Sequence, residues 1–224
     1  MEHVELLSMV RTAAEDVYAC RYDESGNGEQ PRLPGSDQIA VNSMGIIISW
    51  AWARQSLPGR HDNLRIYTAK YPSARAKDGH FQYVPDKTVP RAGRYGYGFL
   101  LDIFIEKEKK PLLPVLGAEI EASPVHETVY DYDRSDYLWD FCKLPYVSVP
   151  KRLFMACTYK AGLPVLQETL SRAWDEDLRH IIQDESDMLG VVLLPAGQTE
   201  WDEMRLGTAV GSGALTFKSP REIQ

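Results

Sequence analysis

Residues 95–107, YGYGFLLDIFIEK, and residues 112–123, LLPVLGAEIEAS, are the stretch of sequence that decides the fold. Both segments are rich in aromatic and aliphatic side chains that suit strands, and the charged residues KEKKP at 107–111 separate them. A short polar connection between two such segments is typical of antiparallel strands. We therefore predict that this region forms two paired strands of a β-sheet.

Further helices and strands are predicted on both sides of this pair. Apolar residues at helical spacing predict helices at 2–20, 38–56, 135–144 and 162–184, and Ser36-Asp37 offers an N-cap for the second. Apolar runs predict strands at 64–71, 80–84, 152–159 and 188–195, with a short edge strand after residue 204. Residues 23–36, rich in Gly, Pro and Ser, predict an exposed loop. The order predicts one domain, 1–224, with a three-layer α/β fold and a mixed central sheet flanked by helices.

The charge of the chain restricts its classes of function. A formal net charge of −7 argues against a general binder of polyanions, because nonspecific nucleic-acid affinity depends on several Lys and Arg contacts to phosphate. Lys107, Lys109 and Lys110 between the central strands form one small basic patch. Acidic residues at a metal site are compatible with such a local basic face.

Cysteine usage and hydropathy indicate a reducing compartment. Cys20, Cys142 and Cys157 are odd in number and far apart, which fits neither a disulfide framework nor a zinc site. Acidic residues from position 2 onward argue against a secretory signal, and the longest apolar stretch, 44–53, is far below the ~20 residues that span a bilayer. We expect a cytoplasmic protein with no membrane partner.

Three acidic residues on the central strands are the best candidates for chemistry. Because strand side chains alternate between faces, Glu119 and Glu121 point one way and Ile120 the other. A turn centred near 110–111 puts Asp102 opposite Glu119, with Cβ atoms ~4.5–5.5 Å apart. Carboxylates this close repel one another, so they require a cation, a proton or a basic side chain. Mg²⁺, a hard ion that prefers oxygen ligands, is the simplest compensator.

The order of these elements resembles that of the PD-(D/E)XK restriction-endonuclease-like superfamily. The resemblance covers roughly residues 60–160, with Asp102 on one strand, Glu119-Ile120-Glu121 on the next, then a helix and the strand RLFMAC. It implies a restriction-endonuclease-like fold and a nuclease that uses Mg²⁺ or Mn²⁺ to hydrolyse phosphodiester bonds in DNA, or in RNA. Leu101 stands where the family usually has Pro before the Asp.

The same resemblance assigns roles to four residues. Asp102 and Glu119 would bind the metal ion, and Glu121, which stands in the position of the usual lysine, would activate the attacking water or also ligate the metal. Lys143, on the following helix, would supply the missing positive charge. The implied partner is a nucleic acid despite the acidic pI, and a homodimer is one assembly that the chain could form.

Each of these residues also has a purely structural interpretation. Glu119 and Glu121 could belong to the solvated face of an alternating sheet, and Asp102 could pair with a core arginine. Lys143 could pair with Asp140, one turn away on its own helix. The corresponding alternative function is a noncatalytic, nuclease-derived interaction or regulatory module, which the missing Lys and Pro and the acidic charge favour.

Overall fold

The predicted helices and strands occur in their predicted order, and the additions include a strand at Ala74–Lys77 and a short helix at Pro220–Ile223 that were not predicted. A computed structural model describes residues 1–22, 37–55, 64–68, 74–77, 80–83, 101–107, 113–125, 136–196 and 201–223. The helices are α1 (His3–Tyr22), α2 (Gln38–Gln55), α3 (Asp136–Lys143), α4 (Leu163–Arg172) and α5 (Pro220–Ile223). The strands are β1 (Leu64–Thr68), β2 (Ala74–Lys77), β3 (His80–Tyr83), β4 (Ile103–Lys107), β5 (Leu113–Val125), β6 (Lys151–Tyr159), β7 (Met188–Ala196), β8 (Arg205–Val210) and β9 (Thr216–Lys218).

Seven of these strands form one mixed sheet, in the order β1-β4-β5-β6-β7-β8-β9. β4 pairs antiparallel with both β1 and β5, whereas β5, β6 and β7 run parallel to one another. β8 and β9 extend the sheet antiparallel, and β2 pairs with β3 separately. The predicted α/β class, the mixed sheet and the antiparallel pairing of the two central strands are confirmed.

Helices cover both faces of the sheet. On one face, buried residues of α1 and α2 pack against Ile103, Ile105 and Ile120. On the other face, buried residues of α3 and α4 pack against Phe104 and Phe154. Alternation along each strand separates these two sets, because neighbouring side chains point to opposite faces. The result is three layers with an apolar core on each side of the sheet.

Several predicted boundaries are confirmed and two are refined. The Asp37 carboxylate caps α2, where its Oδ1 accepts the backbone N–H groups of Ile39 and Ala40 at 3.1 Å each. The segment predicted as one helix at 162–184 is α4, followed by a π-helical stretch, Ala173–Leu178, and a 3-10 turn, Arg179–Ile181. Two strands, β8 and β9, follow residue 204 instead of one. The predicted loop at 23–36 lies outside the described residues.

The cysteines with described side chains are packed thiols, as predicted. Cys142 and Cys157 are buried and free of disulfides. Burial raises the pKa of the Cys157 thiol to about 12, so this group stays protonated at neutral pH. The side chain of Cys20 is not among those that the structure describes. None of the helices in the described ranges is both long enough and apolar enough to cross a membrane.

Gly45 allows α2 to approach β5 closely at Ile120. A Cβ at position 45 would overlap the Cδ1 of Ile120 and lie 3.0 Å from its Cγ1. We expect Gly45→Ala to lower the free energy of unfolding by about 1–2 kcal/mol, because overpacking strain exceeds the gain in helix propensity. Urea unfolding followed by circular dichroism measures this change.

The Ile120→Val background tests the cause of this effect. Valine lacks the Cδ1 atom that the new methyl group would meet, so Gly45→Ala should cost clearly less stability there. An equal loss of stability in both backgrounds would contradict the proposed contact.

Candidate functional site

The pairing of β4 with β5 brings Asp102 to Glu119, as predicted. Ile103 pairs with Ala118, and extending this register by one residue places Asp102 across from Glu119. The Asp102 carboxylate accepts the backbone N–H of Ile120 through Oδ2 at 2.9 Å. This hydrogen bond anchors the carboxylate beside the backbone of β5.

Asp102 differs in one respect from its prediction. The sequence predicts it inside a strand, whereas β4 begins at Ile103 and Asp102 occupies a bend just before it. Its side chain, in place of a backbone carbonyl, accepts the N–H of the neighbouring strand. The cost of placing a charge among apolar neighbours is therefore offset by a hydrogen bond to the main chain and by partial exposure of the side chain.

Glu119 is enclosed on the α3 face of the sheet. Its neighbours Ala118 and Ile120 belong to the core on the α1 and α2 side, so alternation directs Glu119 towards α3. Only 2% of its surface is exposed. A solvated position on an open sheet face is thus excluded for this glutamate, and its carboxyl group needs a compensating partner.

Lys143, at the end of α3, supplies a positive charge at this position. Its Nζ lies 2.8 Å from Oε1 of Glu119 and 2.5 Å from Oδ1 of Asp140. The contact with Asp140 is the ion pair within α3 that the helical spacing allows. The contact with Glu119 places Lys143 beside the strand acids, as the resemblance implies. Both occur together, because α3 packs its last turn against β5.

The protonation of Glu119 is set mainly by its burial. Desolvation, followed by repulsion from Asp102, raises the pKa of Glu119 to about 9 although Lys143 opposes the shift. For Lys143, burial by itself lowers the pKa, but attraction to Glu119 and the hydrogen bond with Asp140 reverse this, so its pKa is raised. Burial therefore favours the protonated form of Glu119, whereas the carboxylate of Asp140 favours the charged form of Lys143.

The Oε1 atom of Glu119 is paired with Lys143. This oxygen is buried, and the partner described for it is the Lys143 ammonium at 2.8 Å. Buried polar atoms without a partner are rare and costly in native proteins. Lys143 therefore offsets the cost of burying this carboxyl group.

Glu121 lies two residues beyond Glu119 on β5 and is half-buried. The pairing of β5 with β6 becomes irregular after this residue, between Glu121 and Pro124. Within the described ranges, no group of three or more His, Cys, Asp or Glu side chains is arranged to hold a metal ion. Of the four predicted site residues, Asp102, Glu119 and Lys143 lie together. The role of Glu121 stays a prediction.

A second buried glutamate lies on the same face of the sheet and was not predicted from the sequence. Glu106 is almost fully buried on β4, and its Oε1 accepts a hydrogen bond from the hydroxyl of Tyr67 at 2.8 Å. Burial and then this hydrogen bond raise the pKa of Tyr67. Alternation from Asp102 through Phe104 to Glu106 was the available signal, because residues two apart on a strand share a face.

Two other buried cations serve the fold. Arg152 donates to the carbonyl oxygens of Leu144 and Val147 and pairs with Asp187 at 2.9 Å. Lys151 donates to the carbonyl oxygen of Trp52 in the last turn of α2 at 2.6 Å, and burial lowers its pKa to about 8. These contacts tie loops and a helix end to β6, so neither residue needs a ligand to explain its position.

Comparison of the chain with family models, curated proteins and solved structures gives no match. The cluster of Asp102, Glu119 and Lys143 therefore has to be interpreted from its own chemistry.

Proposed function

We propose that this protein is a divalent-metal-dependent nuclease that hydrolyses phosphodiester bonds in DNA or RNA. The observation that carries the proposal is the buried Glu119, whose carboxyl group faces Asp102, just before β4, and the Lys143 ammonium from α3. Buried groups with strongly shifted pKa values and specific charged partners occur preferentially at functional sites. The arrangement would supply oxygen ligands for a metal ion and a cation for the phosphate, both of which favour phosphodiester hydrolysis.

The described order of elements also supports a restriction-endonuclease-like fold. Helix α2 precedes the antiparallel strands β1, β4 and β5, and α3 then leads into β6, which runs parallel to β5. Asp102, Glu119 and Lys143 lie in this order along those elements, as in the superfamily that the sequence resembles. The fold subclass is part of the proposal.

Asp102 and Glu119 are the residues that would hold the metal ion. Mg²⁺ usually binds proteins through one or two carboxylates together with water, so one acid on β5 and one just before β4 suit it. Mn²⁺ has similar preferences. The bound ion would lower the pKa of a coordinated water and offset charge on the phosphate. The Glu119 carboxyl group, whose Oε1 pairs with the Lys143 ammonium at 2.8 Å, would supply a ligand oxygen.

The remaining residues would handle the proton and the charge. Glu121 would orient the attacking water and accept its proton while the water oxygen bonds to phosphorus. The bond from phosphorus to the leaving sugar oxygen then breaks, and that oxygen takes a proton from solvent. Lys143 would stabilise the charge on the phosphate oxygens, because its ammonium lies beside Glu119.

One observation favours a noncatalytic module as the alternative. The Lys143 ammonium already lies at ion-pair distance from Glu119 and Asp140, so it supplies charge that a metal ion would otherwise provide. A protein that retained the fold and lost the chemistry would be stabilised by this pairing. The chain would then act through its surface instead of through hydrolysis.

A cleavage assay separates the two functions. Plasmid and oligonucleotide substrates, with Mg²⁺ or Mn²⁺, are incubated with the wild-type chain and with Asp102→Ala and Glu119→Ala. Glu176→Ala is the matched control, because Glu176 is an exposed acid that pairs only with Arg172 among the contacts described for it. We expect metal-dependent cleavage by wild type and control and its loss in both site variants. No cleavage with either metal, or equal cleavage in all variants, would reject the nuclease.

A further inference from the structure

Helix α3 carries an exposed tryptophan beside the candidate site. Its buried side consists of Tyr137, Leu138, Phe141 and Cys142, which pack into the core on that face of the sheet. Trp139, Asp140 and Lys143 lie on the opposite arc of the helix. Trp139 is 53% exposed, which is unusual for the largest apolar side chain on the polar side of an amphipathic helix.

Trp139 and Lys143 are neighbours on the helix surface. Residues four apart in a helix have Cβ atoms about 5–6 Å from each other, and Lys143 reaches Glu119 at 2.8 Å. The indole ring therefore lies about one helical turn from the residue whose ammonium contacts Glu119. A nucleotide whose phosphate lies beside Lys143 would have its base within reach of this ring.

An indole ring in this position is suited to one kind of ligand chemistry. Nucleobases stack on aromatic side chains with little dependence on sequence, because every base presents a flat π-face. A base inside a duplex already stacks on its neighbours and is inaccessible to a protein ring unless it is unpaired or flipped out. Stacking on Trp139 thus requires an unpaired base.

The net charge of the chain also favours an unpaired base over duplex DNA as the ligand. With a net charge of −7, the protein has little capacity for the many phosphate contacts that hold duplex DNA nonspecifically. Stacking contributes affinity without requiring additional cations. Binding should still weaken as salt rises, because the phosphate beside Lys143 contributes to it.

We propose that Trp139 stacks an unpaired nucleobase next to the phosphate that the site cleaves, so that the substrate is single-stranded or locally opened nucleic acid. This inference rests on the proposed nuclease function and specifies its substrate class. Trp139 is a positioning and specificity residue here, and the carboxylates remain the groups that act on the phosphate.

The test measures binding without hydrolysis. Fluorescence anisotropy in EDTA compares a labelled single-stranded DNA, a single-stranded RNA of the same sequence, and the corresponding DNA duplex, each at low and high salt. We expect at least one single strand to bind about tenfold or more tightly than the duplex. We expect Trp139→Ala to weaken that binding about 5- to 100-fold and Trp139→Phe to retain most of it, because the ring supplies the stacking surface.

A matched control separates stacking from general effects of losing a surface ring. Tyr159, at the end of β6, is 49% exposed and lies on another element, so Tyr159→Ala should bind like wild type. Circular dichroism melts establish that each variant is folded, which is expected because these rings are exposed. Equal binding of duplex and single strands, unchanged binding by Trp139→Ala, or no binding of any of the three nucleic acids would overturn the inference.

The failure of stacking and the failure of hydrolysis are distinguishable. Cleavage that Trp139→Ala leaves unchanged, on single strands and duplex alike, would retain the nuclease and reject the stacking role. Ring-dependent binding of a single strand by a chain that cleaves nothing with Mg²⁺ or Mn²⁺ would support stacking and reject the nuclease. The DNA and RNA arms identify the kind of strand that supplies the base.

Discussion

Mg²⁺ or Mn²⁺ should bind the wild-type chain about 100-fold more tightly at about pH 8.5 than at about pH 6.5. Burial and repulsion from Asp102 raise the pKa of Glu119 to about 9, so the carboxyl group holds a proton across this range. A metal ion that Glu119 ligates has to displace that proton, and affinity then rises about tenfold for each pH unit below the pKa. Above about pH 9 the affinity should level off.

Titration calorimetry measures both parts of this expectation. In buffers that differ in ionisation enthalpy, the heat of Mn²⁺ binding reports the release of about one proton per ion. Glu119→Gln should abolish binding and its pH dependence, whereas Glu176→Gln, at an exposed surface pair, should bind like wild type. Binding that is independent of pH, or that persists in Glu119→Gln, would show that Glu119 is not a ligand.

The metal-free protein should lose stability as the pH rises from about 5 to about 9. The folded-state pKa of Glu119 is raised from the ordinary value of 4.5 to about 9, so the native protein holds a proton that the unfolded chain releases. The stabilising contribution of this proton is complete below about pH 4.5 and is lost as the pH approaches the folded pKa. The expected loss is about 1.4 kcal/mol per pH unit, which amounts to several kcal/mol over this range.

Urea unfolding at several pH values, with EDTA present, tests this dependence. Because other groups also titrate, the informative quantity is the difference in unfolding free energy between wild type and Glu119→Gln. Glutamine carries no titrating proton, so the variant should gain relative to wild type as the pH rises, while the control Glu176→Gln follows wild type. Parallel pH profiles of wild type and Glu119→Gln would mean that Glu119 is ionised in the native state.

Local sequence patterns were sufficient to predict the centre of the fold. The alternation in LLPVLGAEIEAS and the short charged connection before it predict both the face of Glu119 and its approach to Asp102, and the register of β4 with β5 agrees. These features depend on neighbouring residues and on the spacing of one strand pair, so they can be derived from the sequence. The bend at Asp102 was not predicted, because a side chain replaced a backbone acceptor there.

Lys143 shows where such local reasoning ends. Helical spacing allows it to pair with Asp140 or to reach the strand acids, and spacing alone does not decide between the two contacts. The structure has both contacts, because the orientation of α3 on β5 directs the ammonium between two carboxylates. That orientation depends on how Phe141 and its buried neighbours pack against Phe154 and Trp174, which no spacing along the chain expresses.

The sequence by itself determined that Asp102, Glu119 and Glu121 are candidates for one face of a central strand pair, because strand periodicity and register are short-range properties. Only the tertiary structure decided that Glu119 is buried, that Lys143 lies beside it and that Trp139 stays exposed. Burial depends on packing between elements that are distant in the chain, and it is burial that raises the pKa of Glu119. The acidic residues alone predict a cation site, whereas the enclosure of Glu119 by α3 sets its protonation, on which the proposed metal binding depends.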